Sequence, residues 1–151
     1  LVHQGKGLGV NEAGMDTRRA IDHLLAQAQQ SGKLALLVFS ASWCPDCTTL
    51  QAFFEDPVVK PFLEDHFLIL KIDVYTRFTN RAVVEGYGSP NSHGIPAVLV
   101  LDGLGNELAS TRKGELSDAR SATAEKILEL LQQWFDLWVK NQAGEKSAPA
   151  A

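Results

Sequence analysis

A chain of 151 residues, 45% hydrophobic and 21% charged, has the composition of a folded globular protein and lies outside the range of disordered chains. At this size a single core buries about 70% of the surface the unfolded chain exposes, which argues against two domains. Fourteen Lys and Arg against eighteen Asp and Glu give a net charge of −4 with no basic block beyond Arg18-Arg19, so nucleic acid is not an expected partner.

Residues 1–15 carry Gly5, Gly7, Gly9 and Gly14 with little apolar periodicity and read as a flexible leader. From Asp16, an expected N-cap, Ile21, Leu24, Leu25 and Ala28 recur at helical spacing until Gly32 offers a stop. Residues 34–40 form a short continuous apolar run, which predicts a central strand buried on both faces. Pro45 suits the first turn of a helix, and Leu50, Phe53 and Phe54 carry that helix to Asp56-Pro57, where Pro57 and Pro61 should kink or restart it.

Residues 67–74 read as a second strand and 77–87 as a helix with Phe78, Ala82 and Val83 on one side. A loop rich in Gly, Pro, Ser and Asn follows over 86–94. Residues 97–101 and 107–111 are expected to pair as a hairpin around Asp102-Gly103-Leu104-Gly105. The last helix is expected over 123–140, with Ile127, Leu130, Leu131, Trp134 and Trp138 as its core-facing stripe, before a flexible tail at 141–151. Neither 34–39 nor 97–101, the longest apolar runs, approaches the ~18 residues of a membrane span. The chain begins at Leu1 rather than Met, so its start is silent on export.

This order, a βαβ half followed by a ββα half, predicts an α/β fold: one mixed sheet with helices on both faces, spanning residues 16–140.

The chain has two cysteines, Cys44 and Cys47, too few and too close together to form the disulfide framework of a small secreted scaffold. Two thiols spaced this way at a helix start can close into a disulfide with little backbone motion. Unpaired N–H groups and the helix dipole favour the thiolate of the first sulfur. Cys44 is therefore the expected nucleophile, and Cys47, one turn further in, the thiol that resolves a mixed disulfide. A CxxC between an apolar strand and a helix is a far more specific signal than a CxxC alone.

The run Leu37-Val38-Phe39-Ser40-Ala41-Ser42-Trp43-Cys44-Pro45-Asp46-Cys47, then Gly94-Ile95-Pro96-Ala97-Val98, then Lys113-Gly114-Glu115, resembles the thioredoxin superfamily. With Asp56-Pro57-Val58 included, it is most similar to bacterial cell-envelope thioredoxin-like proteins, among them disulfide-isomerase-like ones and the C-terminal domain of the membrane reductant conveyor. The tetrapeptide alone also resembles a cytosolic thioredoxin-related group.

The resemblance implies a thioredoxin-like fold with a central mixed sheet of about four strands. It implies a protein disulfide reductase or isomerase, with Cys44 and Cys47 catalytic. Pro96 would be a cis-proline facing them, and Ile95 would offer its backbone to the substrate chain. Trp43 would be an aromatic contact, and Pro45 and Asp46 would tune the motif. No cofactor is implied, because the cysteine pair carries the redox equivalents. Partners would be disulfide-containing proteins and a reductase or membrane electron donor, and the chain would be a monomer in the periplasm or cell envelope, with the cytoplasm as alternative.

Three positions depart from the family. The buried Asp that assists the second cysteine is replaced by Val38, and the Glu of the conveyor domain by Gln51, which leaves the proton acceptor for Cys47 unassigned. The loop holding Ser89, Pro90, Asn91, Ser92 and His93 is longer than in thioredoxin and is expected beside the site. Asp46 places a negative charge near Cys44, disfavouring its thiolate and predicting a reductant-like potential.

Two other readings of the thiols compete: a metal-binding or metal-delivery module, for which only His66 and His93 are conceivable further ligands, and a non-enzymatic interaction domain. His93, a lone loop histidine, is read as surface, and His23 and His66 as surface or helix-end residues. Asp118 to Arg120 and Glu125-Lys126 read as a solvated face.

Overall fold

The computed structural model describes residues 10–147. Expectations for residues 1–9 and 148–151 lie outside them. The elements are α1 (Val10–Ser31), β1 (Leu34–Ser40), α2 (Pro45–Glu55), α3 (Lys60–His66), β2 (Phe67–Asp73), α4 (Arg81–Gly86), β3 (Ala97–Leu101), β4 (Glu107–Ser110), a 3-10 turn (Ala119–Ser121) and α5 (Ala124–Ser147).

The strands form one sheet in the order β2-β1-β3-β4. β1 runs parallel to β2, from Leu34 opposite Phe67 to Ser40 opposite Asp73, and antiparallel to β3, with Val38 opposite Val98. Every residue of β1 is buried, as its unbroken apolar run requires of a strand covered on both faces. Alternate side chains separate into two cores. Leu34, Leu36 and Val38 pack with Leu50 and Phe54 of α2, Leu63 of α3, and Ile127, Leu131 and Trp134 of α5. Ala35, Leu37 and Phe39 pack with Ile21, Leu24 and Ala28 of α1 and Val83 of α4. Each buried Leu or Phe contributes about 1.5–3 kcal/mol, so β1 anchors both layers. Its C-terminal end delivers the chain to the cysteines.

Four expectations need correction. α1 begins at Val10 rather than Asp16, since Glu12, Ala13 and Met15 are good helix formers and outweigh Gly14. Similarly α5 continues to Ser147, because Gln142, Ala143, Glu145 and Lys146 carry the helix through Gly144. The helix expected over 77–87 starts only at Arg81. Thr76 Oγ1 accepts from the N–H groups of Phe78 and Thr79, and Asn80 takes a left-handed conformation with φ 56°. Those side-chain bonds hold a turn where a helix would otherwise start, and Phe78 is exposed. Finally, Trp138 is half-buried rather than core, lying 5.7 Å from the Phe135 ring.

Candidate active site

β1 ends at Ser40, and the backbone turns so that Cys44 N–H donates to Ala41 O at 3.2 Å. Cys44 is then the N-cap of α2: it is extended (φ −96°, ψ 111°), and its sulfur accepts the N–H of Cys47 at 3.1 Å. Pro45 fills the first turn, where a backbone N–H would have had no helical partner. Thr48 ties the turn from the other side, its N–H and hydroxyl both donating to Cys44 O. The two thiols are free, and they are 5% and 7% exposed.

Opposite the cysteines, the Ile95–Pro96 peptide is cis. Cys44 Sγ lies 3.7 Å from Ile95 O, a contact spanning 51 residues of sequence. Gly94, which precedes this pair, has φ +119°, and a Cβ there would lie 2.8 Å from Ser117 Cβ. The chain can pass so close to the 114–117 turn only without a side chain. The Ser89 to His93 loop leads into this pair. Arg112 Nη1 donates to Gly88 O, and a Cβ on Gly114 would meet His93 O at 2.9 Å.

Trp43 is 59% exposed, and its indole N–H donates to Tyr75 O at 2.9 Å. Tyr75 is itself exposed, so two aromatic rings stand at the rim of the site.

The electrostatics differ from the sequence expectation at Asp46. Its Oδ1 accepts from both the backbone N–H of Arg120 at 3.0 Å and Arg120 Nε at 3.1 Å. The backbone N–H first, and then the guanidinium, hold the carboxyl below the ordinary carboxylate range. Arg120, expected on a solvated face, is therefore tied to the CxxC motif across 74 residues. Asp46 is not a bare charge, which removes the physical basis for expecting it to give a reductant-like potential.

Burial pushes the Cys47 thiol up to about 12, helped by its hydrogen bond to Cys44, against the Ala41 backbone, which lowers it. Val38 stands beside it, and a cavity of about 130 Å³ opens between Cys47, Ser40, Thr48, Gln51 and Lys71. Among the described residues, no carboxylate lines this cavity.

Cys44, Cys47 and Ile95 thus pack together, with Trp43 and Pro96 their neighbours in sequence, while the two histidines do not join them. The His66 ring stacks between Phe62 and Phe135, and His93 is exposed beside Ser92. Among the described residues, no three His, Cys, Asp or Glu side chains come together as metal ligands. Sequence reasoning passed over Tyr75, Arg120 and Lys71. Only Lys71 left a signal, as a charge in the alternate row Phe67, Ile69, Lys71.

A family model described as thioredoxin-like matches residues 16–103, and with them the first three strands and the CxxC turn. The chain belongs to the thioredoxin-like family. Among solved structures, this thioredoxin-like chain is similar to a disulphide isomerase from Xylella fastidiosa Temecula1 at 28% identity and a TM-score of 0.75, with 88% of this chain and 96% of that one covered. It is also similar to the oxidised C-terminal domain of Neisseria meningitidis DsbD, at 26% identity and a TM-score of 0.55, covering 79% and 93%. A DsbH oxidoreductase shares the fold at 19% identity and a TM-score of 0.58, covering 76% and 80%. No curated protein matches the chain.

Proposed function

We propose that this chain is a thiol–disulfide oxidoreductase that reduces or isomerises disulfides in protein substrates, with Cys44 as nucleophile and Cys47 as resolving thiol. The observation that carries the reading is the position of Cys44 Sγ, at the N-cap of α2 and 3.7 Å from the Ile95 carbonyl. A sulfur there is held by a helix-start N–H and faces a backbone edge with which an extended peptide can pair.

The Cys44 thiolate attacks one sulfur of the substrate disulfide; a Cys44–substrate bond forms, the substrate bond breaks, and one substrate thiolate leaves and takes up a proton. Cys47 gives up its proton and attacks Cys44 Sγ, expelling the second substrate thiol. Two electrons have passed from the protein dithiol to the substrate. In isomerisation, another substrate cysteine attacks the mixed disulfide instead, and the dithiol is returned unchanged.

The fold shared with the Xylella disulphide isomerase and the DsbD domain supports this chemistry. Ile95 and Pro96 form the substrate-facing edge, Trp43 an aromatic contact, and Pro45 and Asp46 the tuning positions. An external reductase or membrane electron donor restores the dithiol, and residence in the periplasm or cell envelope as a monomer belongs to the same proposal. Among the described residues, no helix is long and apolar enough to cross a membrane.

Reduction of insulin disulfides, followed by turbidity, tests the reading: the wild type should be active and Cys44→Ser inactive. Equal rates for the two would overturn it. The reduction potential of the Cys44–Cys47 couple then ranks reductase against isomerase.

A further inference from the structure

We propose that Asn80 is the positioning residue for the Trp43 indole, holding it in place for a polypeptide substrate; this deepens the oxidoreductase reading above and rests on it. The indole N–H of Trp43 donates to Tyr75 O, so the orientation of the ring depends on where the 74–79 turn lies. Tyr75 N–H in turn donates to the Asp73 carboxylate at 2.9 Å, and the Asp73 backbone O accepts from Asn80 Nδ2 at 2.7 Å. A continuous line of hydrogen-bonded residues therefore runs from a buried amide to an exposed indole.

The side chain of Asn80 serves this line rather than its own helix. Asn80 stands at the N-cap of α4, where an asparagine ordinarily accepts a hydrogen bond from the first turn, yet its side chain caps nothing there. The amide reaches backwards instead. Its Nδ2 donates to the carbonyl that ends β2, and its Oδ1 accepts from the Thr17 hydroxyl of α1 at 2.8 Å. A buried amide is tolerated when its donor and acceptor groups are both paired, and here each is paired to a different element. The backbone of Asn80 is left-handed, a conformation asparagine adopts more readily than most side chains.

Bonds inside the turn fix its shape: Thr76 and Thr79 bond to each other and to N–H groups of the turn itself. Its place on the body is set at its two ends. Val74 N–H donates to Ser40 O at 2.9 Å at the leading end, and Asn80 supplies the attachment at the trailing end. A cavity of about 470 Å³ lies beside the turn, lined by Phe78, Val84, Ser89 and Asn91 among others, so a turn released at Asn80 has room to shift.

In the proposed reaction a polypeptide brings its disulfide to Cys44 and lays neighbouring residues against Trp43. An indole already fixed in place loses little freedom when the substrate docks, whereas one carried on a loosened turn must be ordered at that moment. The cost falls on binding. Sulfur exchange at Cys44 and Cys47 does not pass through the turn, so KM and kcat respond differently.

Asn80→Gly tests this, since glycine keeps the left-handed backbone and removes both amide bonds. In isotope-labelled protein the indole N–H groups of Trp43, Trp134 and Trp138 give separate magnetic resonances, and the Trp43 signal is the one lost in Trp43→Phe. Asn80→Gly should move the Trp43 resonance and leave the other two in place. With insulin as substrate and dithiothreitol regenerating the dithiol, KM should rise about two- to tenfold, the worth of an aromatic contact, at unchanged kcat. In the Trp43→Phe background the same substitution should add nothing to KM. Asn80→Asp, which keeps the acceptor for Thr17 and lacks the donor for Asp73 O, replaces the glycine variant if thermal melts show that it fails to fold. An unmoved Trp43 resonance, an unchanged KM, or KM effects that multiply in the double variant overturn the proposal. A wild type no faster on insulin than dithiothreitol alone sinks the oxidoreductase reading itself, which separates the two failures.

Discussion

The carbonyl of Ile95 and the sulfur of Cys44 come within 3.7 Å although they lie in different halves of the fold. An attacking thiol at such a place forms the mixed disulfide, and the second thiol ends it. Cys47→Ser should therefore accumulate a covalent complex with a disulfide-bonded protein, seen as a reducible adduct by mass spectrometry, and Cys44→Ser should give none. Arg120 extends the argument to charge. Arg120→Ala removes the guanidinium from Asp46, and the first thiol-exchange step should slow by about two- to fivefold, the range of an exposed pair, with less effect at high salt. Asp46→Asn should abolish that response.

At this scale the approach of Cys44 to the cis Ile95–Pro96 peptide was legible, because two short contiguous motifs carry it. Arg120 was not, since nothing local marks a residue whose partner is 74 positions away.

β1 and β3 were legible to the residue, as each is an unbroken apolar run closed by turn formers, here Gly32 and Gly94 before them. α4 was not, because the hydroxyls of Thr76 and Thr79 redirect the backbone before Asn80. The 3-10 turn carrying Arg120 has no periodicity to read. Two elements give predictions of their own. Leu36→Ala, in the fully buried centre of β1, should cost about 2–5 kcal/mol in urea unfolding. Gly94→Ala should destabilise by about 1–3 kcal/mol from its positive φ alone. It should also slow insulin reduction, because the loop must shift away from Ser117 and carry Ile95 with it. A Gly94→Ala protein with wild-type turnover would contradict that coupling.

For the molecule as a whole, the buried thiol links stability to pH. The folded state holds the Cys47 proton up to about 12, whereas the unfolded chain releases it near the ordinary 9.0. The unfolded form therefore binds fewer protons between those values, and the stability present below pH 9 is lost as pH rises through the folded value. Tyr87, raised chiefly by burial, acts in the same direction above 10.0. Urea unfolding of the reduced protein should weaken across this range, and Cys47→Ala should show a shallower decline with the Tyr87 part remaining. Asp46 acts at the other end of the scale: its lowered value gives stability present above pH 3.8 and lost as pH falls through the folded value.

The sulfur that caps α2 is also the sulfur that exchanges partners. Whenever Cys44 enters a covalent linkage, its sulfur must orient towards the new partner, and the amide of Cys47, which it caps at 3.1 Å, is fastened less firmly. Deuterium uptake at that amide should accordingly rise when the cysteine pair closes and fall when it reopens, making the backbone of α2 a gauge of electron traffic through the site.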